Sequence, residues 1–78
     1  MKYDRRDSGY FNDYLHPLEF LETALQLCDL KISFYLRLTS SKMRYVEIYY
    51  NGNLGNSVFI DGDSPAQAIK DVAKAVHL

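Results

Sequence analysis

Two stretches of strict alternation constrain this chain more than anything else in it. In the first, Ile32, Phe34, Leu36 and Leu38 alternate with Lys31, Ser33, Tyr35, Arg37 and Thr39. In the second, inside RYVEIYYNG, Val46 and Ile48 alternate with Tyr45, Glu47 and Tyr49. A period of two marks a half-buried β-strand, because successive side chains point to opposite faces. The intervening TSSK makes the turn of an antiparallel hairpin. One face of that hairpin is aliphatic and belongs in a core. The other carries tyrosines, an arginine and a glutamate, which folding alone does not require.

Asn51-Gly52 follows the second strand, here placed at 43–50, and is the strongest short hairpin signal. Val58 and Ile60 then mark a third strand at 57–61, with Phe59 on its other face. A plain two-residue turn at Asn51-Gly52 would pair Val46 with Ser57 and Tyr45 with Val58. Val58 and Ile60 would then lie on the tyrosine face, since a one-residue slip exchanges faces. A longer loop or a bulge restores one apolar face, and the longer loop is the expectation. The outer face then holds Tyr35, Arg37, Tyr45, Glu47, Tyr49 and Phe59.

Helices flank the strands. Leu18, Leu21, Ala24, Leu25 and Cys28 recur at helical spacing. Pro17 suits a first helical position, where its missing N–H costs nothing, so the first helix is placed at 17–28. Ser64 is an N-cap, Pro65 the next residue, and Gln67 completes a capping box. Ala66, Ile69, Val72, Ala73 and Val76 form the apolar stripe of a last helix running to the chain end. The expected fold is α+β: a three-stranded antiparallel sheet with two helices packed on one face. Residues 1–15 form an aromatic arm, and 16–78 a single domain.

At 78 residues one core is all the chain can build. Hydrophobic and charged fractions of 47% and 24% are those of a globular protein rather than a disordered one. No apolar run approaches the ~18 residues of a membrane span. The polar start lacks the apolar stretch of a signal peptide, so the cytoplasm is the expected compartment. A single cysteine excludes an internal disulfide.

Constellations for chemistry are absent from the pattern. Cys28 lies on an apolar stripe and is expected to be buried. His16 and His77 have no partners at metal-ligand spacing, and no cofactor is implied. Asp61 and Asp63 lack the rest of a calcium loop, and Gly52 and Gly55 the Gly-Lys-Ser/Thr of a phosphate loop. A shallow three-stranded domain also offers little room for a pocket. The chain is not expected to be an enzyme.

The net charge is −1, without the basic excess of a general nucleic-acid binder. Locally, however, Lys31, Arg37, Lys42 and Arg44 stand against Glu47 alone across the first hairpin. Tyrosine and arginine together are enriched at protein-binding hot spots. Aromatics on a sheet can also stack bases, with Arg and Lys holding phosphates. A third possibility is that Tyr3, Tyr10, Phe11 and Tyr14 fold back over this face, or that two copies meet through it or an edge strand.

The α–β–β–β–α order over 17–78 resembles that of double-stranded RNA-binding domains. SPAQAIKDVAKAVHL is similar to their last helix in its alanine-rich rhythm. The lysines with which that family opens the helix are replaced by Asp61, Asp63, Ser64, Pro65 and Gln67, so the resemblance implies topology rather than RNA binding. FIDGDSPAQAIKDVAKAV looks like the strand–Gly-Asp-Ser/Thr–helix segment of HicB-type antitoxins, which implies blocking a ribonuclease by binding it. The helix ahead of the strands departs from that family.

These readings converge on a small adaptor or inhibitor, of the kind bacteria, phages and mobile elements encode, that binds another protein and acts by occlusion. Its expected binding residues are Tyr35, Arg37, Tyr45, Glu47, Tyr49 and Phe59, with Lys42 and Arg44 at the hairpin edge. The alternatives are nucleic-acid binding through the basic hairpin and a structural homodimer.

Overall fold

A computed structural model of the chain describes residues 1–3 and 9–76. Its elements are β1 (Lys2–Tyr3), α1 (Asn12–Leu27), β2 (Ile32–Leu38), β3 (Arg44–Tyr50), β4 (Asn53–Phe59) and α2 (Pro65–Ala75). The class is α+β, as expected, but the sheet has four strands in the order β1-β2-β3-β4. The addition to the expected antiparallel trio is β1, parallel to β2, with Lys2 opposite Tyr35 and Tyr3 opposite Leu36. Two residues are too short for periodicity to reveal.

β2 and β3 pair as their alternation demands, with Phe34 opposite Ile48, Leu36 opposite Val46 and Tyr35 opposite Glu47. After β3 the chain takes the two-residue turn after all. Asn51 and Gly52 adopt φ of 53° and 84°, the left-handed pair of a type I′ turn, and Tyr50 pairs directly with Asn53. The longer loop is therefore corrected. A β-bulge restores the apolar face instead: Tyr49 pairs with Leu54 but Ile48 with Asn56, so Gly55 is the extra residue. Beyond the bulge Val46 faces Val58 and Tyr45 faces Phe59.

Glycine at 55 has a steric cause. A Cβ there would lie 2.1 Å from the Tyr50 ring. That ring is held by its hydroxyl, which donates to Asn56 Oδ1 and the Ala75 carbonyl, each at 3.2 Å. Asn56 Nδ2 donates to the same carbonyl at 2.8 Å. The bulge thus carries the side chains that satisfy a carbonyl at the end of α2, where helical partners run out.

The core lies between the sheet and both helices. Ile32, Phe34, Leu36, Val46, Ile48 and Ile60 meet Leu18, Ala68, Val72 and Val76, joined by Phe11 and Tyr14. These last two correct the start of the first helix, which begins at Asn12 and takes Pro17 inside it. An interior proline costs about 3 kcal/mol. Burying Phe11 and Tyr14, 0% and 5% exposed, returns roughly 1.5–3 kcal/mol for each, enough to carry the helix through the proline. The Tyr14 hydroxyl also donates to the Asp63 carbonyl ahead of α2.

Glu22 is buried, a place a carboxylate takes only when it is paired. Its Oε2 accepts the Phe34 N–H at 2.7 Å, and the Met1 amino nitrogen lies 2.8 Å from Oε1. Cys28, expected inside, is exposed, because α1 ends there. Asp29 takes a φ of 62° and lets Leu30 N–H reach the Leu25 carbonyl, a left-handed close to the helix. Ser64 caps α2, accepting the Gln67 N–H at 3.2 Å. Gln67 does not complete the expected box: its side chain donates to Asp71 at 3.0 Å. Ala68 rather than Ala66 or Ala73 is buried, and α2 ends at Ala75. His77 lies outside the described residues. Among those described, no helix is long and apolar enough to cross a membrane.

Candidate functional site

The register fixes three rows across the outer face. Arg37, Tyr45 and Phe59 form one, Lys2, Tyr35, Glu47 and Ser57 the next, and Ser33, Tyr49 and Leu54 the third. Six of the eight expected residues are thereby brought together: Tyr35, Arg37, Tyr45, Glu47, Tyr49 and Phe59. Both helices lie on the opposite face, and among the described residues no element covers these rows.

Glu47 sits at the centre. Its Oε1 lies 3.4 Å from Arg37 Nη1 and accepts the Tyr49 hydroxyl at 3.3 Å. Arg37 lies over the Tyr35 ring, 4.7 Å from its centroid, a cation–π contact. The Tyr45 and Phe59 rings meet at 5.4 Å and 37°, a tilted pair. The polar groups of this face thus bind one another and hold the rings in place. Glu47 is 14% exposed at its side chain against 45% for Arg37, so the pair is half shielded by its neighbours.

This setting shifts two groups. Desolvation, then the Glu47 charge and its hydrogen bond, push the Tyr49 hydroxyl above the usual tyrosine range. For Arg37 desolvation is the largest single influence and lowers the pKa, but the charge and hydrogen bond of Glu47 and the two flanking tyrosines together outweigh it and raise the pKa. Arg37 stays charged and Tyr49 stays a neutral donor at physiological pH.

The remaining two expected residues lie elsewhere. Arg44 alternates with Tyr45 and turns to the helix side. There Nε is 3.0 Å from Asp61 Oδ1, Nη1 donates to the Tyr10 carbonyl at 3.2 Å, and the guanidinium lies 4.9 Å from the Tyr14 ring centroid. It works as a structural tie between β3, α1 and the loop before α2. Lys42 occupies the β2–β3 turn at φ 66°, with Nζ 5.9 Å from the Tyr10 ring. The expected basic hairpin edge is therefore split from the aromatic face, Arg44 by the alternation of β3 and Lys42 by its place in the turn beside Tyr10.

Among the described residues the arm's aromatics take other places: Phe11 and Tyr14 are in the core, Tyr10 meets Lys42 and Arg44, and Tyr3 pairs in β1 with Leu36. Residues 4–8 lie outside the described set.

Sequence reasoning missed Leu54, 55% exposed beside Tyr49. NGNLGN looks like a loop, and Leu54 joins the face only because the turn closes at Asn51-Gly52. It also missed an open groove of about 340 Å³ between β1 and the β3–β4 turn, lined by Met1, Lys2, Ser33, Phe34, Tyr35, Tyr49 and Gly52. The groove arises because β1 leaves the start of β2 uncovered. No His, Cys, Asp or Glu is among its lining residues. Among the described residues no cluster of His, Cys, Asp or Glu is arranged to hold a metal ion. The chain matches no protein-family model, no curated protein and no solved structure.

Proposed function

We propose that this chain is a non-enzymatic protein-binding module that uses the outer face of its sheet, an adaptor or an inhibitor acting by occlusion. One observation carries the reading. Four rings, Tyr35, Tyr45, Tyr49 and Phe59, sit in a preset arrangement around the Arg37–Glu47 pair, on the face that takes no part in the core. Rigid aromatic anchors with few torsions to freeze lose little entropy on binding. Phe59, 57% exposed, supplies apolar area, and Arg37 and Glu47 supply orientation. Residues of this kind are worth about 2 kcal/mol or more each when central to an interface.

Replacing Tyr45 and Tyr49 together by alanine tests the reading. Capture of the partner from the native host, followed by mass spectrometry, is expected to lose its specific band while circular dichroism is retained. Unchanged capture by a folded double variant rejects the assignment.

The basic-hairpin reading loses its main support when Lys42 and Arg44 turn away from the rings. A nucleic-acid platform here would rest on Arg37, already paired with Glu47, on Lys2 and on Lys31, exposed just ahead of β2. Titration of labelled RNA and DNA at two salt concentrations separates the classes. Phosphate contacts give an affinity that falls steeply with salt, whereas the protein-binding reading expects no binding at low salt.

A further inference from the structure

We infer that the chain also pairs with a second copy of itself through β4, two strands running antiparallel about Val58 to make one continuous sheet. β4 is the last strand of the sheet, and among the described residues nothing pairs with its outer side. The Ile60 N–H donates to the Arg44 carbonyl at 3.0 Å. Alternation along the antiparallel ladder then turns the backbone groups of Val58 and Asn56 toward β3, and those of Ser57 and Phe59 outward. Such open groups are a template for another strand, and edges are commonly guarded by lysine, proline or inward-pointing charge. Asn53–Phe59 has none of these. Its one guard, the bulge at Gly55, leaves 56–59 regular.

An extended strand is the chemistry this edge accepts, and a second β4 fits it on three counts. The strand carries no charge, so self-pairing opposes no like charges. Pairing about Val58 sets Val58 against its counterpart and Ser57 against Phe59 of the second copy. Each face therefore keeps its own residues, and the outward groups of Ser57 and Phe59 exchange both bonds at each pair. Finally, the two Phe59 side chains become diagonal neighbours, roughly 7–8 Å apart and within reach of aromatic rings. The Tyr45–Phe59 pair of each copy would then join its counterpart across the two-fold axis. None of this depends on what the outer face binds.

Sedimentation over a concentration series is the test, with amide hydrogen exchange read alongside. The mass is expected to rise from 9.0 kDa toward twice that value. The Ser57 and Phe59 amides are expected to slow with concentration, while other exposed amides do not. Ser57→Pro removes an outward N–H without touching the β3 ladder and is expected to stay monomeric. Should that variant fail to fold, Ser57→Lys puts like charges within reach across the axis and is expected to do the same. A chain that remains monomeric up to its solubility limit overturns the inference. So does a dimer that survives Ser57→Lys, or one that leaves the Ser57 and Phe59 amides unprotected.

Discussion

The two faces of this sheet are built from the same strands and end in opposite situations. On the helix side Phe34, Leu36, Val46 and Ile48 are at most 1% exposed. Every buried polar side-chain atom among the described residues has a partner. On the other side Tyr35, Arg37, Tyr45, Glu47, Tyr49 and Phe59 contact mainly each other. Folding dictates the first set, because a core side chain must fill space as well as leave water. It tolerates many other residues in the second. The difference teaches where to look for function: order on the outer face, imposed by Glu47, is order that core packing does not demand.

The comparison can be broken most forcefully with a neighbouring pair. Leu36→Ala should cost about 2–5 kcal/mol of unfolding free energy, as large-to-small core changes do. Tyr35→Ala, one residue away on the outer face, should cost about 1 kcal/mol, the worth of cross-strand surface contacts. Urea denaturation measures both. Equal losses would show that the outer face is part of the folding unit rather than a surface held ready.

Next in size is Gly55→Ala. The added carbon meets the Tyr50 ring, and overpacking costs about 1–3 kcal/mol. The bulge also sets the register that sends Val58 inward and Phe59 outward. Nuclear Overhauser contacts between Tyr45 and Phe59 should weaken in this variant. If they persist at full stability, the bulge does not control the division of faces.

Glu47→Gln sharpens the outer half alone. With Arg37 45% exposed, solvent screening limits the stability change to about 1 kcal/mol or less. The clearer readout is Tyr49, whose pKa lies above 10.0 through desolvation and through Glu47. A raised folded pKa contributes stability that is present below the unfolded tyrosine value and lost as pH rises through the folded one. The wild type should therefore lose stability in alkali, and Glu47→Gln should lose less. Spectrophotometric titration should show Tyr49 ionising earlier in the variant.

The smallest effect belongs to the turn before α2. The Asp63 carboxyl is raised above 3.8 by a hydrogen bond to Asp71, by desolvation and by the Asp71 charge. Its contribution is full below the ordinary aspartate value and lost as pH rises through the raised one. Asp63→Asn should accordingly raise Tm slightly at neutral pH and leave it unchanged in acid, as calorimetry at the two pH values would show.

How far the sequence carries one toward this picture depends on which force acts at each element. The alternation at Ile32–Leu38 and Val46–Ile48 predicts strands, faces and pairing correctly, because burial of one face is a local pattern. The Ser64-Pro65 start of α2 is equally legible, since capping is local. The start of α1 is not: Pro17 is a strong local signal, but Phe11 and Tyr14 gain more from a distant core. The β3–β4 register turns on Gly55, whose reason is the Tyr50 ring, which only the fold puts there. For the site, the six residues that alternate on β2, β3 and β4 were legible. Lys42 and Arg44 were placed with them by charge, while strand alternation and the Asp61, Tyr10 and Tyr14 contacts put them elsewhere. β1 and the burial of Glu22 left no periodic trace.

The central claim is that the outer face binds a protein while the inner face holds the fold. The most direct measurement pairs the Tyr45→Ala, Tyr49→Ala double variant with the unaltered chain in one capture from the native host, with urea denaturation of both proteins. The account predicts that the double variant loses the captured partner, while its unfolding free energy falls by only about 1–2 kcal/mol. A folded double variant that retains the same partner would contradict it.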